Sequence, residues 1–238
     1  MLKITASTNI GLIRQTNEDS YVCINPKTYA VADGMGGHAA GEIASNLLIN
    51  TIEDFFSEKF LITIDQDVLE KIILKANERI LEKAKNHTEY AGMGTTASLL
   101  HIEADTCFWA HIGDSRIYLL RNNKLAQITQ DHSLVWDLVL NGTLTQEEAL
   151  VHPQRNMLTR AVGIDADVKV DKGSFALEKN DKFLLCTDGL TNMVNETEVK
   201  KIIESETIDD KAAALIDQAL RAGGVDNITA IILENNDD

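Results

Sequence analysis

Thr95-Thr96-Ala97-Ser98-Leu99-Leu100-His101-Ile102, Thr106-Cys107-Phe108-Trp109-Ala110-His111-Ile112, Ile117-Tyr118-Leu119-Leu120-Arg121 and Lys124-Leu125-Ala126-Gln127-Ile128 follow one another with only short turns between them. Each run is rich in β-branched, aromatic and apolar residues, and Asn122-Asn123 is a hairpin turn signal. Consecutive hairpins build antiparallel sheet. They argue against the alternating strand and helix of a parallel fold.

Working outward from this block, residues 2–8 and 20–25 read as short strands, and Tyr29–Ala32 as a third that ends at Asp33. Ala40, Ala44, Leu47, Leu48, Thr51 and Phe55 recur at helical spacing from Ala39 to about Phe56. Leu69, Ile72, Ile73, Ala76 and Ile80 do the same over 67–86. Downstream, residues 131–155 form an excursion of two short helical pieces around Asn141-Gly142. Val168–Val170, Gly173–Leu177 and Lys182–Thr187 are strand-like, helices are expected near 196–204 and 209–221, and Asn227–Leu233 reads as a closing strand. This order predicts an α+β fold: a four-layer α/β/β/α sandwich of two antiparallel sheets flanked by helix pairs, with residues 1–238 as one domain.

Composition narrows the function classes. Twenty-two Lys and Arg against 37 Asp and Glu give a net charge of −15, which repels nucleic acid and anionic membrane. The start of the chain has no apolar signal region and no stretch approaches a membrane span, so a cytoplasmic protein is expected. Cys23, Cys107 and Cys186 are odd in number, far apart and free of Cys-x-x-Cys spacing. Buried reduced thiols are expected, not a disulfide frame or a zinc knuckle.

The chemistry concentrates in a few acids at the ends of apolar runs. Asp33-Gly34, Asp188-Gly189 and Asp226-Asn227 each set a carboxylate beside a turn residue, Gly113-Asp114-Ser115 does so between two strands, and Glu18-Asp19 adds a pair. Taken singly, an Asp-Gly is a turn or a helix cap. Together, hard oxygen donors without clustered His or Cys suit Mg²⁺ or Mn²⁺. Gly34-x-Gly36-x-x-Ala39 also fits a dinucleotide fingerprint, with Glu53 downstream. Asp33 would repel the pyrophosphate, and no series of βαβ units follows. Asp131-His132-Ser133 cannot be a catalytic triad, because adjacent residues cannot line up as acid, base and nucleophile.

The set Arg14-x-x-Asn17-Glu18-Asp19, Val31-Ala32-Asp33-Gly34-Met35-Gly36-Gly37-His38, Gly92-Met93-Gly94-Thr95-Thr96, Gly113-Asp114-Ser115-Arg116, Asp131-His132-Ser133, Leu158-Thr159-Arg160-Ala161-Val162-Gly163, Thr187-Asp188-Gly189-Leu190 and Asp226-Asn227-Ile228-Thr229 resembles the protein phosphatase 2C family, in order and identity, from about residue 4 to residue 233. It looks closest to the bacterial stand-alone serine/threonine phosphatases. The resemblance implies hydrolysis of phosphoserine and phosphothreonine monoesters by direct attack of a metal-bridging water. It implies two Mn²⁺ or Mg²⁺ ions and a third, weaker site. By similarity Asp33 bridges both ions, the Gly34 carbonyl completes the second, Asp188 and Asp226 hold the first, Glu18 and Asp19 lie in or next to the second ion's water shell, and Asp114 with Asp188 matches the third site. Arg14 is the candidate phosphate clamp, its other reading being a surface arginine paired with Glu18 or Asp19.

Met35 is a departure, since many eukaryotic relatives have His there as the acid to the leaving group. Water or His38 is left for that role, although His38 also stands where a helix begins. Residues 131–155 correspond to the variable flap near the cleft in relatives, a candidate for phosphopeptide selection. The expected partners are phosphorylated proteins, substrates of a serine/threonine kinase, and that kinase itself, for a monomeric enzyme. Two other readings compete: a non-catalytic binding or sensor module on the same fold, and a phosphatase of small phosphoesters.

Overall fold

The computed structural model describes residues 2–37, 40–57 and 63–235. Its elements begin with β1 (Leu2–Asn9), β2 (Asp19–Ile24), β3 (Thr28–Met35), α1 (Ala40–Ser57) and α2 (Gln66–Asn86). The strand-rich centre follows: β4 (Gly94–Thr95), β5 (Ala97–Glu103), β6 (Thr106–Ile112), β7 (Arg116–Arg121) and β8 (Lys124–Gln127). The excursion holds α3 (Leu134–Leu140) and α4 (Gln146–Leu150). The chain then runs through β9 (Asp171–Ala176), β10 (Lys182–Cys186), α5 (Asp188–Thr191), α6 (Glu196–Glu204), α7 (Lys211–Arg221) and β11 (Ile228–Asn235).

All strand pairs are antiparallel. One sheet runs β1-β11-β10-β7-β8 and the other β2-β3-β5-β6-β9, with β4 added to the end of β3. The β7–β8 hairpin turns on Asn122 and Asn123, both at positive φ, 50° and 61°, as a tight two-residue turn requires.

Side-chain alternation sorts the layers. In β3, Ala30 and Ala32 pack with Leu48 and Ile52 of α1 and Ile73 and Ile80 of α2, while Tyr29 and Val31 point the other way. Those two join Leu100, Cys107, Ile117, Phe183, Leu185, Ile231 and Leu233 in a core between the sheets. Leu184, Cys186, Ala230 and Ile232 face α6 and α7, whose Val199, Ile203, Leu215 and Ala219 close the outer layer. The four layers expected from the sequence are therefore present. Side-chain caps fix the helix starts: Asp65 on α2, Asn195 on α6 and Asp210 on α7.

Several boundaries differ from expectation. The third strand does not end at Asp33 but runs on through Gly34 and Met35, because β4 supplies a partner there. The run from Thr95 is broken at Thr96, so Gly94–Thr95 and Ala97–Glu103 are separate strands. Val168–Val170 is not a strand: Val170 is buried, with Val168 packed on the same core as irregular chain. Cys107 and Cys186 are buried thiols, and Cys23 is half-buried. No helix among the described residues is long and apolar enough to cross a membrane.

Candidate metal centre and active site

The face that is apolar in the middle of the sandwich turns polar at one end. Continuing the alternation by one step beyond Val31, Leu185, Ile231 and Ala6 brings Asp33, Thr187, Thr229 and Thr8, and two steps back along β2 from Cys23 bring Asp19 at its head. Register makes neighbours of them, since Asp19 pairs with Asp33 and Thr8 with Thr229. Asp19 Oδ2 accepts the hydroxyls of Thr187 at 2.8 Å and Thr229 at 2.7 Å, and the Thr8 and Thr229 hydroxyls are 2.8 Å apart.

Asp33 is held from behind. Its N–H donates to Thr96 Oγ1 at 2.9 Å, and its carbonyl accepts from Thr96 N at 2.9 Å and from Thr95 Oγ1 at 3.0 Å. Gly34 N donates to the Glu18 carbonyl at 3.1 Å. A Cβ on Gly34 would stand 2.1 Å from the Gly41 carbonyl oxygen, so only glycine lets β3 approach the start of α1 here. Asp188 opens α5, where a turn had been expected, and accepts from Asn192 Nδ2 at 3.0 Å. Asp114 follows Gly113, which adopts φ +104°. Asp226 accepts Arg14 Nη2 at 2.8 Å, and its neighbour Asn227 fastens residues 10–18 through Ile10 O, Thr16 O and Glu18 N at 2.8–2.9 Å.

The acids raise one another's pKa. Burial, then Asp19, Asp188, Asp114 and Asp226, push Asp33 well above the ordinary carboxylate range. Burial and then Asp188 do the same to Asp114, and burial and then Asp226 raise Asp188. Asp19 is pushed to about 7 by burial, against the pull of its two threonine hydroxyls. Burial also raises Glu18, while Arg14 lowers it. Asp33, Asp19, Asp188, Asp114, Asp226, Glu18 and Arg14 are thus one electrostatic unit.

This donor set fits hard divalent cations. Every candidate ligand is oxygen, and Asp19 Oδ1 is buried without a hydrogen-bond partner, a costly state for a carboxylate oxygen unless a cation or its hydration water meets it. The acids stand apart: among the described residues no three His, Cys, Asp or Glu are close enough together to hold a metal ion as they stand.

The chain matches the protein phosphatase 2C family model over residues 14–218. It belongs to the protein phosphatase 2C family. It is 39% identical to the serine/threonine phosphatase stp of Listeria welshimeri, over 96% of this chain and 94% of that protein. Its fold is similar to the crystal structure of the Mycobacterium tuberculosis serine/threonine phosphatase PstP/Ppp, with a TM-score of 0.93, 35% identity and 99% of each chain covered. A structure of the PstP catalytic domain in complex with two manganese ions superposes with a TM-score of 0.91 at 33% identity, again over 99% of each chain.

For this protein phosphatase 2C chain, the structure gathers Asp33, Gly34, Asp188, Asp226, Asp19, Glu18, Asp114 and Arg14 at one end of the sandwich. Arg14 pairs with Asp226, not with Glu18 or Asp19 as its surface reading supposed. His38 lies outside the described residues. Asp131, His132 and Ser133 turn to three different partners: Arg116, Asp171 and the N-terminus of α3. The role of Thr187 and Thr229, which hold Asp19, and of Thr8 behind Thr229 went unrecognised, because threonine in an apolar run signals only strand.

Proposed function

We infer that this chain is a metal-dependent protein serine/threonine phosphatase that hydrolyses phosphoserine and phosphothreonine monoesters. The observation that carries this is the cluster of five aspartates, Asp19 and Asp114 buried and Asp33, Asp188 and Asp226 half-buried, with the Arg14 guanidinium paired to Asp226 at its edge, in a member of the protein phosphatase 2C family. Asp33 and the Gly34 carbonyl would hold two Mn²⁺ or Mg²⁺ ions between them, with Asp188 and Asp226 completing one ion. Glu18 and Asp19 would order the water shell of the other, and Asp114 with Asp188 would take a third, weaker ion. When bound, the ions supply a water deprotonated at neutral pH and positive charge against the phosphoryl oxygens.

That supply matters because phosphate monoester hydrolysis needs accelerations approaching ~10²¹, roughly 28 kcal/mol of barrier. A single general acid or base provides only about 10²–10⁴. Arg14 receives the phosphoryl oxygens and orients the phosphorus for attack. Its pairing with Asp226, backed by Glu18 and Asp33, keeps the guanidinium charged and aimed. Thr187 and Thr229 hold one oxygen of Asp19 and leave the other for a hydrated ion. Met35 has no proton to donate, so the leaving alkoxide takes one from water or from His38.

The flap, residues 131–155, roots beside Asp114, because His132 N donates to the Gly113 carbonyl at 2.7 Å. We assign it to phosphopeptide selection, and exchange for another member's flap should change peptide preference. The enzyme acts as a cytoplasmic monomer on phosphorylated proteins, among them substrates of a serine/threonine kinase and the kinase itself. The presence of all five aspartates argues against a non-catalytic module. The test is Mn²⁺-dependent hydrolysis of p-nitrophenyl phosphate and phosphopeptides, with Asp33→Ala and Asp188→Ala nearly inactive; full activity in excess chelator would refute the reading.

A further inference from the structure

Beside Asp226 the chain exposes apolar side chains on a backbone held in place. Leu12 is 64% exposed, Ile13 68% and Val225 45%. Scattered exposed leucines need no explanation, but these sit together on two tethered loops. Leu12 N donates to the Gly224 carbonyl at 2.7 Å, Gly11 N to Asn9 Oδ1 at 2.9 Å, and Asn227 binds the carbonyls on both sides of the segment, Ile10 and Thr16. Gly11 has φ +81°, and a Cβ there would stand 2.2 Å from the Asp226 carbonyl oxygen. A Cβ on Gly224, at φ +48°, would stand 3.0 Å from Leu220 Cδ2 and 3.2 Å from Leu12 Cγ. Apolar groups already held in one geometry lose little freedom on binding, which is the condition for an effective anchor.

Their place in the site says what they would anchor. Ile13 adjoins Arg14, Val225 adjoins Asp226, and Arg14 and Asp226 are joined at 2.8 Å, so the patch starts one residue from the phosphate clamp on both loops. An extended peptide advances about 3.3–3.6 Å per residue. Side chains one or two positions from a phosphorylated residue therefore lie within reach of Leu12 when the phosphoryl group is on Arg14. An acidic side chain there would meet Asp226, Glu18 and a chain of net charge −15. An apolar one would bury Leu12 and Ile13.

Resting on the phosphatase reading, we propose that Leu12, Ile13 and Val225 form a substrate subsite beside Asp226. It receives an apolar side chain one or two positions from the phosphoserine or phosphothreonine of a polypeptide, while the flap flanks Asp114.

The experiment compares phosphopeptides that differ only in Leu, Ser or Asp at the positions flanking phosphothreonine, with p-nitrophenyl phosphate as a substrate that has no flanking residues. Wild-type protein with Mn²⁺ should favour Leu over Ser by about tenfold in kcat/KM, mostly through KM, and disfavour Asp. In Leu12→Ser/Ile13→Ser the Leu preference should collapse, with p-nitrophenyl phosphate turnover unchanged, which also shows that the variant is folded. Equal rates for Leu and Ser peptides with wild type overturn the subsite, as does a Leu preference that survives in the double variant. Absence of turnover on every substrate, p-nitrophenyl phosphate included, fails the phosphatase reading itself and the subsite with it.

Discussion

His132 and Gly113 are joined twice: the His132 N–H donates to the Gly113 carbonyl at 2.7 Å, and the Gly113 N–H donates to His132 Nδ1 at 3.1 Å. The second bond makes Nδ1 an acceptor, so Nε2 carries the hydrogen and donates to Asp171 Oδ2 at 3.1 Å; Arg160 holds the other oxygen at 2.8 Å. Burial lowers the His132 pKa, which favours this neutral form. The turn presenting Asp114 and the start of the 131–155 excursion are one unit.

His132→Phe should therefore leave a buried Gly113 N–H without a partner, at a cost of about 1–3 kcal/mol. We expect a lower urea midpoint and faster amide exchange through residues 131–159. His132→Asn, which keeps an acceptor near the Nδ1 position, should recover much of both.

Divalent ions should stabilise the wild-type fold by mass action, about 2.7 kcal/mol at one hundred times the dissociation constant. In excess chelator Asp33→Asn should melt higher than wild type, because it removes a buried charge crowded by Asp19 and Asp188. It should also be inactive and gain little from Mn²⁺. Scanning fluorimetry with and without Mn²⁺ reads all three expectations.

Arg14→Lys should lower kcat/KM for p-nitrophenyl phosphate by about ten- to hundredfold, the worth of a charge-assisted hydrogen bond that an ammonium cannot make in the same forked geometry. Arg14→Ala should be no better. Steady-state kinetics at saturating Mn²⁺ decides, and activity within twofold of wild type would exclude Arg14 as the clamp.

His111, wholly buried, contacts Ser98 Oγ through Nδ1 at 2.9 Å, and burial and then His132 push its pKa from 6.5 down to about 4. The fold keeps the imidazole neutral, while the unfolded chain takes up a proton near pH 6.5. Stability from this group is complete above that pH and is lost as pH falls towards 4, on the order of 3 kcal/mol in all. Urea midpoints measured between pH 7.5 and 4.5 should fall less steeply for His111→Asn than for wild type.

Much of this was legible in the sequence, because alternation and helical spacing are local. The hairpins of residues 97–127 and the long helices α1 and α2 stand where the periodicity placed them. The end of β3 was missed, since its last two residues depend on β4, a partner more than fifty residues away. Val168 and Val170 alternate like a strand but lack a neighbouring strand to pair with. The acids could be named from Asp-Gly and Asp-Asn punctuation, but their convergence could not be derived from spacing: it needs β1 to pair with β11 across the whole chain. Thr187 and Thr229 stood in the family-like motifs, but nothing in the spacing showed that they aim their hydroxyls at Asp19.

The alternation in β3 also means that this protein cannot trade folding fidelity against activity. A slip of one residue in the β2–β3 hairpin would turn Ala32 inward in place of Asp33 and send Tyr29 and Val31 out of the inter-sheet core. Hydrophobic order and the placement of Asp33 would fail in the same molecule. A preparation's specific activity is therefore a count of correctly registered chains, and partly folded, partly active species should be scarce.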